Sequence, residues 1–308
     1  MVKTVAVTGA TGFIGSALVA KLIATGWQVR ALTRARQASS QKNDASIRWI
    51  YGDLDCDGAL NELVSGAEAV VHCAGAIRGK SWADFYQTNV IGTQNILRAT
   101  SNSSCSKFLH ISSLAAREPA LSWYTQSKFE AEAQVSSFSE KFVTTIYRPA
   151  AVYGPGDKAM LPFFKAMRYG VLPAPGNPAN RFGLIYVEDL VAAICCWLEA
   201  KRPVTGAYSI DDGMPGGYDY RLVAAIAQRV LQKSVRCLAI PMNSMQILAH
   251  LNLWLARFFR YAPVLTPGKI RELQHPDWTC DITPLKKELI DWYPSYKLEM
   301  VLLDLVRI

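Results

Sequence analysis

A doubly wound α/β fold, one parallel sheet wrapped by helices, is what this sequence predicts, and three observations predict it. Short runs of β-forming residues recur along the chain, with helical patterns between most of them. The first run, Thr4–Thr8, leads directly into GATGFIG, where three glycines spaced three apart mark a change from strand to helix. Half of the 308 residues are hydrophobic, enough to bury a large core in one big domain or two intimate ones.

Taken in order, Thr4–Thr8 is a short apolar run of the kind a buried parallel strand needs. From Phe13 the period changes, and Phe13, Ile14, Ala17, Leu18, Lys21 and Leu22 fall at helical spacing. The glycines therefore occupy the turn: Gly9 takes a conformation that a Cβ would obstruct, Gly12 lets a ligand approach the backbone, and Gly15 lets the helix pack on the strand. Unpaired N–H groups at the helix start then face outward, suited to a pyrophosphate. Further strands are expected at Gln28–Thr33, Ile47–Tyr51, 69–73, 107–112 and 144–148. After Arg148 the texture turns rich in proline and glycine, in AAVYGPGDKAMLPFF and VLPAPGNPANRF, which marks a boundary. A strand at 207–210 returns to the sheet, and helical patterns follow at 220–232 and 243–260. The expected division is a dinucleotide-binding domain of residues 1–155 plus about 182–212, closed by a substrate-binding domain of about 156–181 plus 213–308. The cleft belongs beyond the carboxyl ends of the strands, between the two.

The net charge of +8 suits anionic partners, but its cations are scattered, as at Arg30, Arg34, Arg36, Lys286 and Lys287, and no nucleic-acid partner is expected. Seven cysteines, Cys56, Cys73, Cys105, Cys195, Cys196, Cys237 and Cys280, form no CxxC pair and no metal-ligand spacing with the four histidines. Reduced thiols, a cytoplasmic location and no metal are expected. The first strand begins almost at once, so no secretory leader is expected. The longest apolar stretch, residues 240–265, is broken by Asn243, His250, Asn252, Arg257 and Arg260. It reads as an amphipathic core or groove-lining helix, with interfacial membrane contact as the alternative and no transmembrane span.

The chemistry-bearing residues lie near the middle of the chain. In YTQSK, Tyr124 and Lys128 stand four apart and share a helix face, and Ser112 and Ser113 end the strand just upstream. Reduction of a ketone needs a proton donor at its oxygen, and a tyrosine near its ordinary pKa of about 10 is a reluctant one. An ammonium beside it favours phenolate and lowers that pKa, and a serine hydroxyl can hold the same oxygen. Together the three side chains form a site for moving a proton and a hydride at a secondary alcohol.

With these motifs in view, the chain resembles the extended short-chain dehydrogenase/reductase family, the NAD-dependent epimerases and dehydratases with nucleotide-sugar epimerases among them. The resemblance rests on TGATGFIG, GDL at 52–54, VVHCAG at 70–75, Asn89 in TNVIGT, ISS at 111–113, YTQSK at 124–128, RPAAVYGPGD at 148–157 and YVEDL at 186–190. It runs through about residue 215 and weakens beyond, and it implies a Rossmann-type sheet. Carried over by position, it implies Tyr124 as acid/base, Lys128 as the group that tunes it and binds the nicotinamide ribose, and Ser113 as the substrate-positioning hydroxyl. Gly9, Thr11, Gly12, Phe13, Ile14 and Gly15 would hold the cofactor's phosphates, Asp53 and Leu54 would flank its adenine, and Ala74 and Gly75 would line its groove. Asn89 would support the helix near the site. A homodimer is also implied, built on helices corresponding to 84–100 and 123–138.

Two departures bear on the reaction. The dehydratases of this family carry an Asp-Glu pair after the positioning hydroxyl, where this chain has Leu114-Ala115, which argues against elimination. Only ten residues separate Ser113 from Tyr124, fewer than in many sugar epimerases. Cofactor preference is read from the end of the second strand, where an acid would grip free ribose hydroxyls. Thr33 stands there with Arg34 next and Arg36 nearby, so NADP(H) is favoured over NAD(H). Arg78, Lys80 and Arg181 could face a substrate diphosphate, His72 reads as structural, and Trp254, Phe258 and Phe259 suggest an apolar wall.

The leading expectation is an NAD(P)-dependent oxidoreductase or epimerase acting on a small molecule, foremost a nucleotide sugar. A reductase or dehydrogenase of an apolar, steroid-like or flavonoid-like ketone is the alternative that residues 240–265 would suit. A dinucleotide-binding sensor without turnover is the third, weighed down by the presence of both Tyr124 and Lys128.

Overall fold

The structure is a computed structural model that describes residues 3–35, 45–259 and 261–307. Its centre is a seven-stranded, wholly parallel sheet. The strands are β1 (Thr4–Thr8), β2 (Gln28–Thr33), β3 (Ile47–Tyr51), β4 (Ala69–His72), β5 (Lys107–Ile111), β6 (Val143–Pro149) and, after four short strands, β11 (Gly206–Ile210). Those between are β7 (Ala151–Tyr153), β8 (Val171–Pro175), β9 (Arg181–Phe182) and β10 (Leu184–Tyr186), and β12 (Arg236–Ile240) and β13 (Asp277–Trp278) follow. The helices are α1 (Phe13–Ala24), α2 (Asp57–Val64), α3 (Trp82–Phe85), α4 (Gly92–Ser101), α5 (Trp123–Ser136), α6 (Leu161–Arg168) and α7 (Val187–Glu199). Beyond them come α8 (Tyr220–Leu231), α9 (Met242–Phe259), α10 (Pro267–Gln274), α11 (Thr283–Glu288) and α12 (Leu298–Arg307).

Strand order across the sheet is β3-β2-β1-β4-β5-β6-β11, so the winding reverses between β1 and β4. β4 and all but the first residue of β1 and of β5 are buried, which is why they read as apolar runs without alternation. One face of the sheet packs on α1 and α7 through Leu18, Leu22, Leu190, Ile194 and Trp197, and the other on α2, α4 and α5 through Leu60, Leu63, Ile96, Leu97 and Val135. A further core gathers Phe164, Met167, Leu172, Val223, Ile226, Leu298 and Leu302 from α6, β8, α8 and α12.

Expected and observed strands agree within a residue at each end. The expected helix at 220–232 stops at Leu231 because Gln232 turns into the left-handed region, φ 50°, as its C-cap. The sequence reading passed over three short parallel pairs, β7 with β10, β8 with β12 and β9 with β13. Each joins segments far apart in the chain, and a strand such as VLPAP, with two prolines, carries no alternation to announce it.

Candidate active site

The reversal of winding opens a crevice at the carboxyl ends of β1 and β4, and the glycine-rich turn lies in it. Gly9 follows β1 with φ +66°, and a Cβ there would stand 2.6 Å from the amide nitrogen of Ala74. The Gly12 amide donates to the Gly9 carbonyl at 2.9 Å, closing the turn. Gly15 is buried on that same carbonyl, so a Cβ would collide with Gly9 O. α1 begins with Gly12 as its N-cap, with no side-chain cap and no acidic residue in its first turn. Its leading N–H groups are therefore uncommitted to side chains and suited to an anion, beside exposed Thr11 and Gly12 and half-buried Phe13 and Ile14. A cradle that side chains would fill, at an uncapped helix start, fits the pyrophosphate of a dinucleotide.

The adjoining strand ends differ in what they offer. Thr33, at the end of β2, is buried, and its Oγ1 accepts from the Ala35 amide at 3.1 Å. Arg34 is exposed, and Arg36 lies outside the described residues. After β3, Asp53 is exposed and caps the Asp55 amide at 3.0 Å, while Leu54 packs into the space left by Gly92. After β4, the Ala74 amide donates to Thr8 Oγ1 at 3.3 Å. A Cβ on Gly75 would lie 3.2 Å from both Asn89 Oδ1 and Lys128 Nζ, so the groove floor and the lysine meet here.

The opposite wall comes from the end of β5 and the start of α5. Ser113 caps a 3₁₀ turn, Leu114–Arg117, accepting from the Ala115 amide at 3.2 Å. Ser122 and Thr125 form a capping box that starts α5 and fixes the entry of Tyr124. Tyr124 is half-buried, stands edge-on to Phe85 at 6.3 Å between centroids, and hydrogen-bonds Ser113. Burial pushes its pKa up, against the lowering influence of the Ser113 bond and Lys269. Tyr124 is thus a neutral phenol near neutral pH, poised to give a proton rather than take one.

Lys128, one turn on, is buried, and its ammonium donates to the Ile111 carbonyl at 3.0 Å. Burial holds its pKa down to about 8, while the charge of Glu132, another turn on, draws it up. Glu132 is itself buried, accepts from Ser112 Oγ at 2.5 Å and pairs with Arg148 through Nε at 2.9 Å and Nη2 at 2.5 Å. Tyr124, Lys128 and Glu132 thus form one stripe along α5 at spacing four. Asn89 secures the stripe from the side: its amide donates to Ala76 O at 3.0 Å and Ser127 Oγ at 2.8 Å, and its Oδ1 accepts from the Ala76 amide at 2.6 Å. It lies in a π-helical turn, Tyr86–Ile91, a widening often found at functional sites.

The structure brings Gly9, Ala74, Gly75, Asn89, Ser113, Tyr124 and Lys128 to one crevice, with Arg34 and Asp53 beyond neighbouring strand ends. The tuning expected of Lys128 takes another form. The leading cation acting on Tyr124 is Lys269 of α10, and the net shift is upward because burial outweighs it. Lys269 pairs with Glu272 at 2.8 Å, and Glu272 accepts from Ser122 Oγ at 2.6 Å, tying α10 to the start of α5. Glu132 was legible at Lys128 plus four, but Lys269 and Glu272 are brought in from some 150 residues away and leave no local signal. Arg78 is exposed, and Arg181 is held by the carboxylate of Asp277 across β9 and β13. His72 bridges Thr8 Oγ1 at 2.6 Å and Thr93 Oγ1 at 3.0 Å, and burial lowers its pKa to about 3, as a structural histidine requires. No group of metal-ligating side chains occurs among the described residues.

The model of the NAD dependent epimerase/dehydratase family matches residues 5–210. A ceramide reductase of Caulobacter vibrioides is 33% identical over 304 residues, covering 94% of each chain. A putative dihydroflavonol 4-reductase of Synechocystis is 29% identical, over 65% of this chain and 64% of its own. Among solved structures, MoeE5 in complex with UDP-glucuronic acid and NAD superposes with a TM-score of 0.76 at 20% identity, over 99% of both chains. DesIV, a dTDP-glucose 4,6-dehydratase from Streptomyces venezuelae with NAD bound, gives 0.75 at 22% identity, over 99% of this chain and 96% of its own. At these identities the solved structures share the fold.

Proposed function

The chain belongs to the NAD-dependent epimerase/dehydratase family of enzymes, and on that premise we propose that it is an NADPH-dependent reductase of a ketone on an apolar, long-chain substrate. The observation that carries this reading is the likeness to a ceramide reductase over 94% of the chain. It continues through the C-terminal third, beyond residue 210 where the family model ends. Two features agree with it. Arg181, one of the side chains expected to meet a sugar diphosphate, is engaged by Asp277. Leu114, buried, and Ala115 stand where elimination would need carboxylates.

A bound dinucleotide would supply a hydride to the carbonyl carbon. Tyr124 gives its phenolic proton to the carbonyl oxygen, and its raised pKa keeps that proton in place until the oxygen takes on charge. The Ser113 hydroxyl, which accepts from the Ala115 amide and hydrogen-bonds Tyr124, can turn its proton to steady the same carbonyl when a substrate is bound. Lys128, held between Ile111 O and the floor at Gly75, is positioned for the ribose hydroxyls. α5 also exposes Trp123 and Phe129, apolar groups that suit the expected homodimer face.

The test is to offer the protein NADPH with a long-chain amide lipid bearing a ketone, and separately a set of UDP-sugars, and to follow loss of reduced nicotinamide and change of sugar. Reduction of the lipid ketone with no sugar turnover is expected. Epimerised sugar with an untouched ketone would overturn the reading. Cofactor choice is tested separately by Arg34→Ala. Loss of a charge-assisted contact to the 2′-phosphate is expected to weaken NADPH by about 1.5–3 kcal/mol, with NADH unchanged by calorimetry. Equal losses for both cofactors, or none, would place the guanidinium in solvent.

A further inference from the structure

α9 is built inside out for a surface helix. Its inward stripe is small: Ala249 and Ala256 are fully buried, flanked by half-buried Met242, Met245 and Asn252. Its outward stripe is bulky and apolar, with Ile247 71%, Leu251 51%, Trp254 63% and Phe258 72% exposed at the four-three-four spacing of one helix face. Trp254 and Phe258 stack on one another at 6.3 Å, and Phe258 stands edge-on to Phe259 at 5.0 Å. Exposed Leu248 and Phe259, on the same helix, add to it. An apolar face of this size costs free energy in water, so its persistence points to something that covers it.

The charge around it points to what does. Residues 220–271 hold eight Lys and Arg and no Asp or Glu. Of the chain's 33 Lys and Arg and 25 Asp and Glu, this leaves 25 of each sign elsewhere, so the whole net charge of +8 is carried by the segment centred on α9. No helix among the described residues is long and apolar enough to cross a membrane. An apolar stripe with aromatic side chains on one face only, within a segment whose ionisable Lys, Arg, Asp and Glu residues are all basic, matches a helix that lies in the interface of an anionic bilayer.

We propose that α9 docks the protein on an anionic lipid surface, with Ile247, Leu251, Trp254 and Phe258 in the acyl boundary and the net positive charge of the segment favouring anionic headgroups. α9 is linked to the candidate active site through α10. Asn252 donates to Leu265 O at 2.9 Å, binding the helix to the segment that enters α10. α10 in turn seats Gly268 against Ser122, donates from Arg271 to Leu121 O at 2.7 Å, and carries Lys269 and Glu272 to the start of α5. This chain of contacts couples a docked α9 to the substrate side of the site, a consequence that rests on the apolar-ketone reading, whereas the docking itself does not.

Flotation of the full-length protein with vesicles tests the docking without substrate. Vesicles of phosphatidylcholine alone and of phosphatidylcholine mixed with phosphatidylglycerol are compared at low and high salt. The expected result is strong binding to the mixed vesicles, weakened by salt and lost by at least ~10-fold in Leu251→Ser/Trp254→Ser/Phe258→Ser, with the thermal midpoint unchanged. The same variant should reduce a short, water-soluble ketone as the parent does, so failed docking and failed ketone chemistry are separable. A parent that stays in solution with both vesicle types would overturn the proposal. So would a triple variant that still floats, or one that light scattering shows to have lost an oligomer, which would mean that a second copy covers the face.

Discussion

Tyr124→Phe is expected to lower kcat by at least ~100-fold while leaving the dissociation constant of the cofactor nearly unchanged. The size of the effect follows from the lack of a substitute. Lys128, nearest along the same helix face, points its ammonium at Ile111 O. His72 and His110 are buried and held well below the ordinary histidine range, so neither carries an extra proton to give. Ser113 can polarise a carbonyl, but its own proton is far less acidic than a phenol's. Phe keeps the ring and its edge contact with Phe85, so the fold of α5 and the glycine-rich turn across the crevice are preserved. Single-turnover reduction of a ketone, together with titration of cofactor fluorescence, separates the two quantities. A variant that reduces the ketone at the parent's rate would remove Tyr124 from the chemistry.

How much of this was legible in the sequence depends on the range of the forces involved. The sheet was legible because buried parallel strands are short apolar runs, and TVAVT and AVVH can hardly fold otherwise. The glycine-rich turn was legible because its geometry is local: the φ of Gly9 and the contact of Gly15 with Gly9 O both arise within seven residues. The stripe of Tyr124 and Lys128 was legible from helical spacing, and Glu132 follows by the same rule. What was not legible is long-range. The influence of Lys269 on Tyr124, the seating of Glu272 on Ser122 and the neutralisation of Arg181 by Asp277 all join segments that no period connects. The direction of the Tyr124 shift was misread for the same reason, since burial by distant elements outweighs any nearby cation. α9 was legible as a helix, but its inverted facing was not, because an apolar pattern alone does not tell which side finds a partner.

Glu132→Gln is expected to act on stability and on pH dependence together. In the parent, Glu132 is the buried acceptor for Ser112 and for two nitrogens of Arg148. Glutamine keeps the shape but not the charge, leaving a half-buried guanidinium without its counter-ion. A loss of about 2–3 kcal/mol is expected, just below the ~3–5 kcal/mol of a fully buried broken pair because Arg148 retains some solvent. The second effect reaches Lys128. Its ammonium persists only below a pKa of about 8, which the charge of Glu132 holds up against burial. Without that charge the pKa falls further, so any step that needs the ammonium, such as holding the ribose, fails at a lower pH. The alkaline limb of kcat/KM should therefore move toward acid in the variant, and Glu132→Asp should restore part of the shift. Folding stability runs in the opposite direction. Because Lys128 binds its proton less tightly folded than unfolded, the parent gains stability as pH rises from about 8 toward the ordinary lysine value of 10.5. In the variant that gain begins at lower pH. Urea denaturation across this range, set beside the pH–rate profile, reads both. An alkaline limb that stays in place while stability falls would make Glu132 a partner of Arg148 alone, with no hold on the lysine.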